Sequence, residues 1–344
     1  MSKKLFITDC EGPLSINDNA FELSEHFIPQ GDKFFQAVSK FDDILVDEIK
    51  KPGYNAGDTL KLIVPFLKAY GLNNQKMIEF SRKTVQMVPG AKETINLAHN
   101  MMHSFIVSTS YQQYIEALCN LTGFPVENTY STQTDLDTVS LSTNESEKLK
   151  KIKDIIVDGA DFDTMDKIFF QEIPSMEIGK ILPQIKTVGG VGKKLAVEDI
   201  LNKTGLTPEK IMYIGDSITD VEPLALAGEN KGISISFNGN EFAINAAEIA
   251  IISNHTVATS LLMDLHSRFN SDYVKQFVEA YATDPERALS NFRVNLNILK
   301  EFEEVFASDL PIMEIITPDN QEYLLTESMK SRKKIRGESI GGLG

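Results

Sequence analysis

The chain alternates between short apolar runs and longer stretches of helical spacing. Residues 3–8 are an apolar run stopped by Gly12-Pro13, which predicts a buried strand. From about 18 to 85 the pattern changes. Phe21, Leu23, Phe27, Phe34, Phe35, Val38 and Phe41 recur at helical spacing, as do Leu60, Leu62, Ile63, Phe66 and Leu67. This block reads as all-helical, with a break at Lys51-Pro52-Gly53. After Val88-Pro89-Gly90, a helix over about 91–101 leads into a second strand at 103–108. Residues 125–188 form an irregular insertion, in which polar 131–147 reads as loop or hairpin and a charged helix follows over about 145–157. Gly189-Gly190-Val191-Gly192 opens a helix to about Lys203, then come a strand at 211–215, a helix near 221–227, and strands at 232–237 and 249–252. Strands alternating with helices predict an α/β fold, a Rossmann-like doubly wound parallel sheet. From 256 to 330 the spacing is helical again, with Asp284-Pro285-Glu286 as a helix start. The basic, glycine-rich 331–344 reads as a flexible tail.

At 344 residues, the chain exceeds what one core usually holds, so a main domain with appendages is expected. The net charge of −15 argues against wrapping nucleic acid, which calls for a basic stripe. Cys10 and Cys119 are the only cysteines, which gives neither a disulfide framework nor a zinc cluster and fits a reducing compartment. No apolar run approaches the roughly 20 residues of a membrane span. Lys3 and Lys4 imitate a signal peptide, but Asp9 and Glu11 interrupt the run after them. A soluble cytoplasmic protein with no membrane insertion is the expectation.

Two of the strands end in acids. The first runs into Asp9-Cys10-Glu11-Gly12, the second into Gly215-Asp216-Ser217-Ile218-Thr219-Asp220. Side by side in a parallel sheet, they bring four carboxylates to its carboxyl edge, where open α/β sheets bind ligands. Carboxylates so gathered repel one another unless a cation joins them. The pattern points to a metal site beside a carboxylate nucleophile.

With Ser108 ending the run Phe105-Ile106-Val107, and Lys193 at a helix start, these blocks stand in the order of four family motifs over residues 5–252. The chain resembles the haloacid dehalogenase-like (HAD) phosphohydrolases, in their phosphoserine-phosphatase-like branch and its archaeal members of predicted function. The resemblance implies a core from 1–17 and 86–255, a helical cap at 18–85 that closes over the site, and a C-terminal helical extension at 256–330 outside the common core. It implies a Mg²⁺-dependent phosphatase acting on a small phosphorylated metabolite. Asp9 then attacks phosphorus and forms an aspartyl-phosphate, and Glu11 protonates the leaving oxygen and activates water. Mg²⁺ is held by the Asp9 and Asp216 carboxylates and the Glu11 main-chain carbonyl. Ser108 and Lys193 bind phosphoryl oxygens, and Asp220 holds a metal-bound water or orients the lysine. Glu11, one methylene longer than the family's aspartate, and Pro13 depart from the commonest pattern.

Alternatives stand beside several of these residues. Thr109 competes with Ser108, and Lys194 with Lys193, although Lys193 shares the apolar face of Ala196, Val197, Ile200 and Leu201. Gly215-Asp216-Ser217-Ile218 also resembles the nucleophile block of GDSL-type esterases, but it comes late and no Asp-x-x-His follows. Gly189 to Lys194 lacks the first glycine and the final Ser or Thr of a P-loop. The five histidines lack ligand spacing, and the series Phe21 to Phe41 reads as helical core. Lys33, Lys40, Lys50, Lys51, Lys61, Lys68 and Arg82 are the block's candidates for meeting a substrate anion. The C-terminal helices offer a surface for a homo-oligomer or protein partner. A phosphotransferase, or a degenerate member serving as a binding or scaffold subunit, is the competing function.

Overall fold

A computed structural model describes residues 2–307 and 309–342. Its strands β1 (Ser2–Thr8), β2 (Met102–Tyr111), β3 (Thr129–Thr132), β4 (Ile211–Gly215), β5 (Ile233–Phe237), β6 (Ile249–Ile252) and β7 (Ile312–Ile315) form one sheet in the order β3-β2-β1-β4-β5-β6-β7. All neighbouring pairs are parallel except β6 with β7. The central strands β1 and β4 bury apolar side chains on both faces, because both faces are covered. Leu5 and Ile7 of β1 point to one face, against Val107, Tyr213, Val197 and Ile200. Phe6 points to the other, against Ile106, Met212, Ile214 and Leu261. The chain leaves β1 for β2 and β3 on one side and returns through β4 on the other. The reversal opens a crevice between the carboxyl ends of β1 and β4, where Thr8 pairs with Ile214.

Three segments differ from the sequence reading. The irregular insertion within 125–188 is largely helical, from Thr143–Val157 through short π and 3₁₀ turns to Gln184. Its apolar residues share a core with the helical block of 18–85, in which the sheet takes part through Tyr111 of β2. Phe169 stacks on Phe41 at 5.7 Å and meets Phe66 edge-on at 6.1 Å, and Lys51 pairs with Asp166 at 2.7 Å. Helix Thr143–Val157 matches the charged helix expected over about 145–157, but the short π and 3₁₀ turns that follow carry no sustained 3.6-residue period and gave no helical signature. The C-terminal extension is helical, as expected, but adds one strand, β7, and packs on the sheet. Helix Val257–Arg268 and its successors cover one sheet face, and Met313 of β7 joins that face at the sheet edge. Residues 331–342 are no flexible tail: they continue helix Gln321–Gly341, which is broken only at Gly337 (φ +81°). Residues 343 and 344 lie outside the described residues. Among the described residues, no helix is long and apolar enough to cross a membrane.

His266, on the helix over the sheet, is fully buried and donates from Nε2 to the Lys210 carbonyl at 3.0 Å. Burial, with help from the Lys4 and Lys210 charges, depresses its pKa to about 3. A neutral imidazole in the fold and a protonable one in the unfolded chain make this contribution complete above about pH 6.5 and lost as pH falls toward 3. Lowering pH from about 7 to about 4.5 therefore removes about 2.5 kcal/mol through this group. Urea titrations at both pH values should show a smaller loss for His266→Gln than for the wild type.

Candidate active site

Asp9 directly follows β1, and its amide donates to the Ile214 carbonyl at 2.8 Å, which carries the β1–β4 pairing one residue further. Its carboxylate is fixed at both oxygens: Oδ1 accepts from the Cys10 amide and Oδ2 from Lys193 Nζ, each at 2.6 Å. Lys193 also donates to Asp220 Oδ1 at 2.8 Å. It is Lys193 that reaches both acids, from the buried face of helix Val191–Thr204, while Lys194 is only half-buried. Lys193 has no exposed surface. Burial alone would lower its pKa, but the Asp220 and Asp9 carboxylates hold it well above the usual lysine value. Burial raises the Asp9 pKa against the pull of Lys193, and Asp220 and Asp216 add to the rise.

Asp220 is fully engaged. Besides Lys193, its Oδ1 accepts from Tyr213 Oη at 2.8 Å, and its Oδ2 accepts from the amides of Asp216 and Ser217 at 3.1 and 3.2 Å. It orients the lysine and shapes the turn after β4. Asp216 lies against Gly12, whose backbone (φ +97°) approaches so closely that a Cβ would fall 2.1 Å from Asp216 Oδ2. Glycine is required there on both counts. At Gly189 a Cβ would fall 2.1 Å from the Ala56 carbonyl, so that glycine lets the helical block close onto the lysine loop.

Glu11 turns toward the helical block. Its Oε1 accepts from the Asn19 amide at 2.7 Å, at the start of helix Asn19–Phe27. Burial and the neighbouring Asp18 push its pKa well above the usual carboxylate range. Ser108 is buried, and its hydroxyl is engaged with Ser110 at 3.2 Å. Thr109 lines the cleft instead, with a buried Oγ1 that has no hydrogen-bond partner.

The cleft measures 110 Å³ and is walled by Asp9, Glu11, Asp18 and Asp216 below and by Ser39, Asp42, Asp43 and Thr59 of the helical block above. None of the seven lysines and arginines considered in the block is among its lining residues. Asp42 accepts from Tyr54 Oη at 2.5 Å and from the Gly57 amide at 3.1 Å. Burial pushes the pKa of Asp42 up to about 7 and that of Asp43 to about 6. The cations in the wall are Arg332 and Arg336, which sequence reasoning assigned to a tail. Arg332 Nη1 and Arg336 Nη1 both donate to Asp216 Oδ2, the latter at 3.1 Å. Asp9, Asp216 and Asp220 each place a carboxylate oxygen within 4.8 Å of the others. Such a hard oxygen set suits Mg²⁺. Of the three, Asp9 and Asp216 line the cleft and Asp220 does not, so those two are the carboxylates that could hold it.

Residues 74–261, more than half of the chain, match the family profile of the haloacid dehalogenase-like hydrolases. The chain belongs to this family. Lys193, Asp216 and Asp220 fall inside the matched span of this HAD-like hydrolase, while Asp9 and Glu11 precede it. Gene product AF1437 of Archaeoglobus fulgidus is similar along 100% of this chain and 99% of its own, at 27% identity and TM-score 0.81. A substrate-bound phosphoserine phosphatase aligns over 74% of this chain and 95% of its own, at 16% identity and TM-score 0.44. A phospho-aspartyl intermediate analogue of phosphoserine phosphatase covers 73% of this chain and 93% of its own, at 14% identity and TM-score 0.43. No curated protein matches the chain significantly.

Removing the buried lysine leaves Asp9 and Asp220 facing each other without a counter-charge. Lys193→Met is expected to lose about 3–5 kcal/mol of stability in denaturant titration. Lys193→Met combined with Asp220→Asn should regain part of that loss, because the two sites are coupled.

Proposed function

We propose that this HAD-like hydrolase is a Mg²⁺-dependent phosphatase that works through an aspartyl-phosphate on Asp9. The observation that carries the reading is Lys193 held between Asp9 and Asp220 at the crevice beside Asp216. An anionic nucleophile and a phosphate dianion repel each other, so the site needs fixed positive charge where the phosphoryl group sits. Lys193 supplies one such charge, and Mg²⁺, held by Asp9, Asp216 and the Glu11 main-chain carbonyl, would neutralise charge on nucleophile and phosphoryl oxygens together.

In the first step the Asp9 carboxylate forms a bond to phosphorus, the ester P–O bond breaks, and Glu11 gives its proton to the leaving oxygen. In the second, Glu11 takes a proton from water, the water oxygen bonds to phosphorus, and the Asp9–phosphorus bond breaks to release phosphate. A carboxyl whose pKa burial holds high carries the proton that the first step requires. Thr109, whose buried hydroxyl has no hydrogen-bond partner, and Ser108 are the candidates to hold phosphoryl oxygens beside Lys193. The block of 18–85, joined by the 125–188 insertion, serves as the cap that excludes water. A cleft of 110 Å³ is far below the roughly 300 Å³ of pockets for drug-sized ligands, which favours a small substrate. Its cap wall of Ser39, Asp42, Asp43 and Thr59 favours a leaving group bearing hydroxyls or an amine over one bearing a second anion.

The test is phosphate release, with and without Mg²⁺, from a panel of small phosphomonoesters with neutral, amine-bearing and doubly anionic leaving groups. The wild type is expected to require Mg²⁺ and to favour the first two groups. Asp9→Asn should fall to background, and Glu11→Gln should lose about 10²–10⁴ in kcat. Equal release by the wild type and Asp9→Asn would overturn the assignment.

A further inference from the structure

The last helix, Gln321–Gly341, carries Leu324, Ser328, Arg332 and Arg336 at four-residue intervals, so they lie along one face. Leu324 is buried against Ile244, Ala250 and Ile252. Ser328 Oγ donates to the Gly239 carbonyl at 2.6 Å. These two contacts fix the first half of the helix to the sheet domain. One turn on, Arg332 is 3% exposed and donates to the Asp216 carboxylate. Arg336 Nη1 donates to the same oxygen at 3.1 Å, while its Nε and Nη2 donate to the carbonyls of Ile16 and Asn17 at 3.1 and 2.7 Å. Ile16 and Asn17 belong to the link by which the chain leaves the sheet for the cap. Beyond the break at Gly337, Ile340 packs against the apolar core of the cap. The segment thus runs from the sheet domain, across the site, to the cap.

We propose that this helix is an autoinhibitory strap: Arg332 and Arg336 compete with the divalent cation for Asp216, and loading of the cation releases the segment from site and cap. The proposal rests on Asp216 being a cation ligand, as assigned above. Two guanidiniums on one carboxylate cancel much of its attraction for a cation, and a dication at Asp216 would face Arg332 across a short distance with little water between them. The antagonism is reciprocal: whatever factor the docked helix removes from cation affinity, the bound cation removes from helix docking. The same contacts hold the cap near the sheet, so release of the strap also frees the route by which substrate enters.

Two measurements on the full-length protein test this. The first is calorimetric titration of Mg²⁺ into the wild type and into Arg332→Gln/Arg336→Gln. The second is amide hydrogen exchange of the wild type over residues 324–342, without Mg²⁺ and at saturation. The variant is expected to bind Mg²⁺ at least about fivefold more tightly, within the usual range of coupling between sites. Exchange over 324–342 is expected to accelerate when Mg²⁺ is added. Unchanged or slowed exchange overturns the proposal whether or not the variant folds, and so does equal or weaker Mg²⁺ affinity in a folded variant. The two readings fail separately. Phosphate release with unchanged exchange sinks the strap and leaves the phosphatase. Mg²⁺-induced loosening in a protein that releases no phosphate sinks the phosphatase and leaves the strap.

Discussion

A lysine with no exposed surface, held between two carboxylates, is the interaction on which the site depends. Lys193 joins three parts of the chain that are far apart in sequence: the end of β1 through Asp9, the turn after β4 through Asp220, and its own helix. Each part brings something that cannot be left unpaired in a buried place. The lysine loop is docked a second time by main chain, since the Gly190 amide donates to the Thr219 carbonyl at 2.9 Å. Asp220 is spent on this arrangement: four groups besides the lysine hold its oxygens, so it organises the turn and leaves Asp216 and Asp9 facing the cleft. The acids are told apart by position: Asp9 and Asp216 line the cleft, and Asp220 lies behind it in the turn.

The parts of this site legible in sequence are those whose signal is local. An apolar run that stops at acids and a glycine marks a strand end, and parallel order then brings two such ends together. Lys193 was separable from Lys194 because one helix turn of apolar neighbours marks the buried face. Ser108 and Thr109 could not be separated in the same way. They are adjacent on a strand, so they point to opposite faces, and which face meets the cleft depends on a sheet register that no local pattern encodes. Arg332 and Arg336 were less legible still. Their partner is 116 and 120 residues away, and a basic run near a terminus reads as a solvated segment unless a buried acid awaits it. The insertion of 125–188 was obscured by its short turns, and the lysines and arginine named in the block of 18–85 are absent from the lining of this cleft because a helix's charge pattern does not tell which of its polar positions faces a neighbouring domain.

Glu11 departs from the usual aspartate by one methylene, and the structure gives that length a use. Its carboxylate reaches the Asn19 amide, an unpaired donor at the start of the first cap helix, which Asp18 caps at Phe21. Glu11, two residues from Asp9, is thereby tied to the helical block of 18–85. Two effects oppose at this carboxyl: the helix N-terminus favours the anion, while burial and Asp18 favour the neutral acid, and the second pair wins.

The path of the C-terminal extension follows from the same charge arrangement. Its helices cover one face of the sheet, β7 extends the edge beside β6, and the last helix crosses to the opposite face against Ala250 and Ile252. From there, the carboxyl ends of the strands lie within one helix length, and the helix presents arginines where they meet Asp216. Had the extension served only to cover apolar surface, residues beyond Leu324 would need no specific partner. Instead, the stripe continues as Ser328, Arg332 and Arg336, each bonded to a group at or beside the acidic crevice. An acidic crevice without a cation is a stack of like charges in a dry place, and a segment of the same chain able to supply positive charge is the nearest remedy. On the proposed reading, in which Asp216 holds a cation, the arginines that supply this charge oppose it, because both act on one carboxylate.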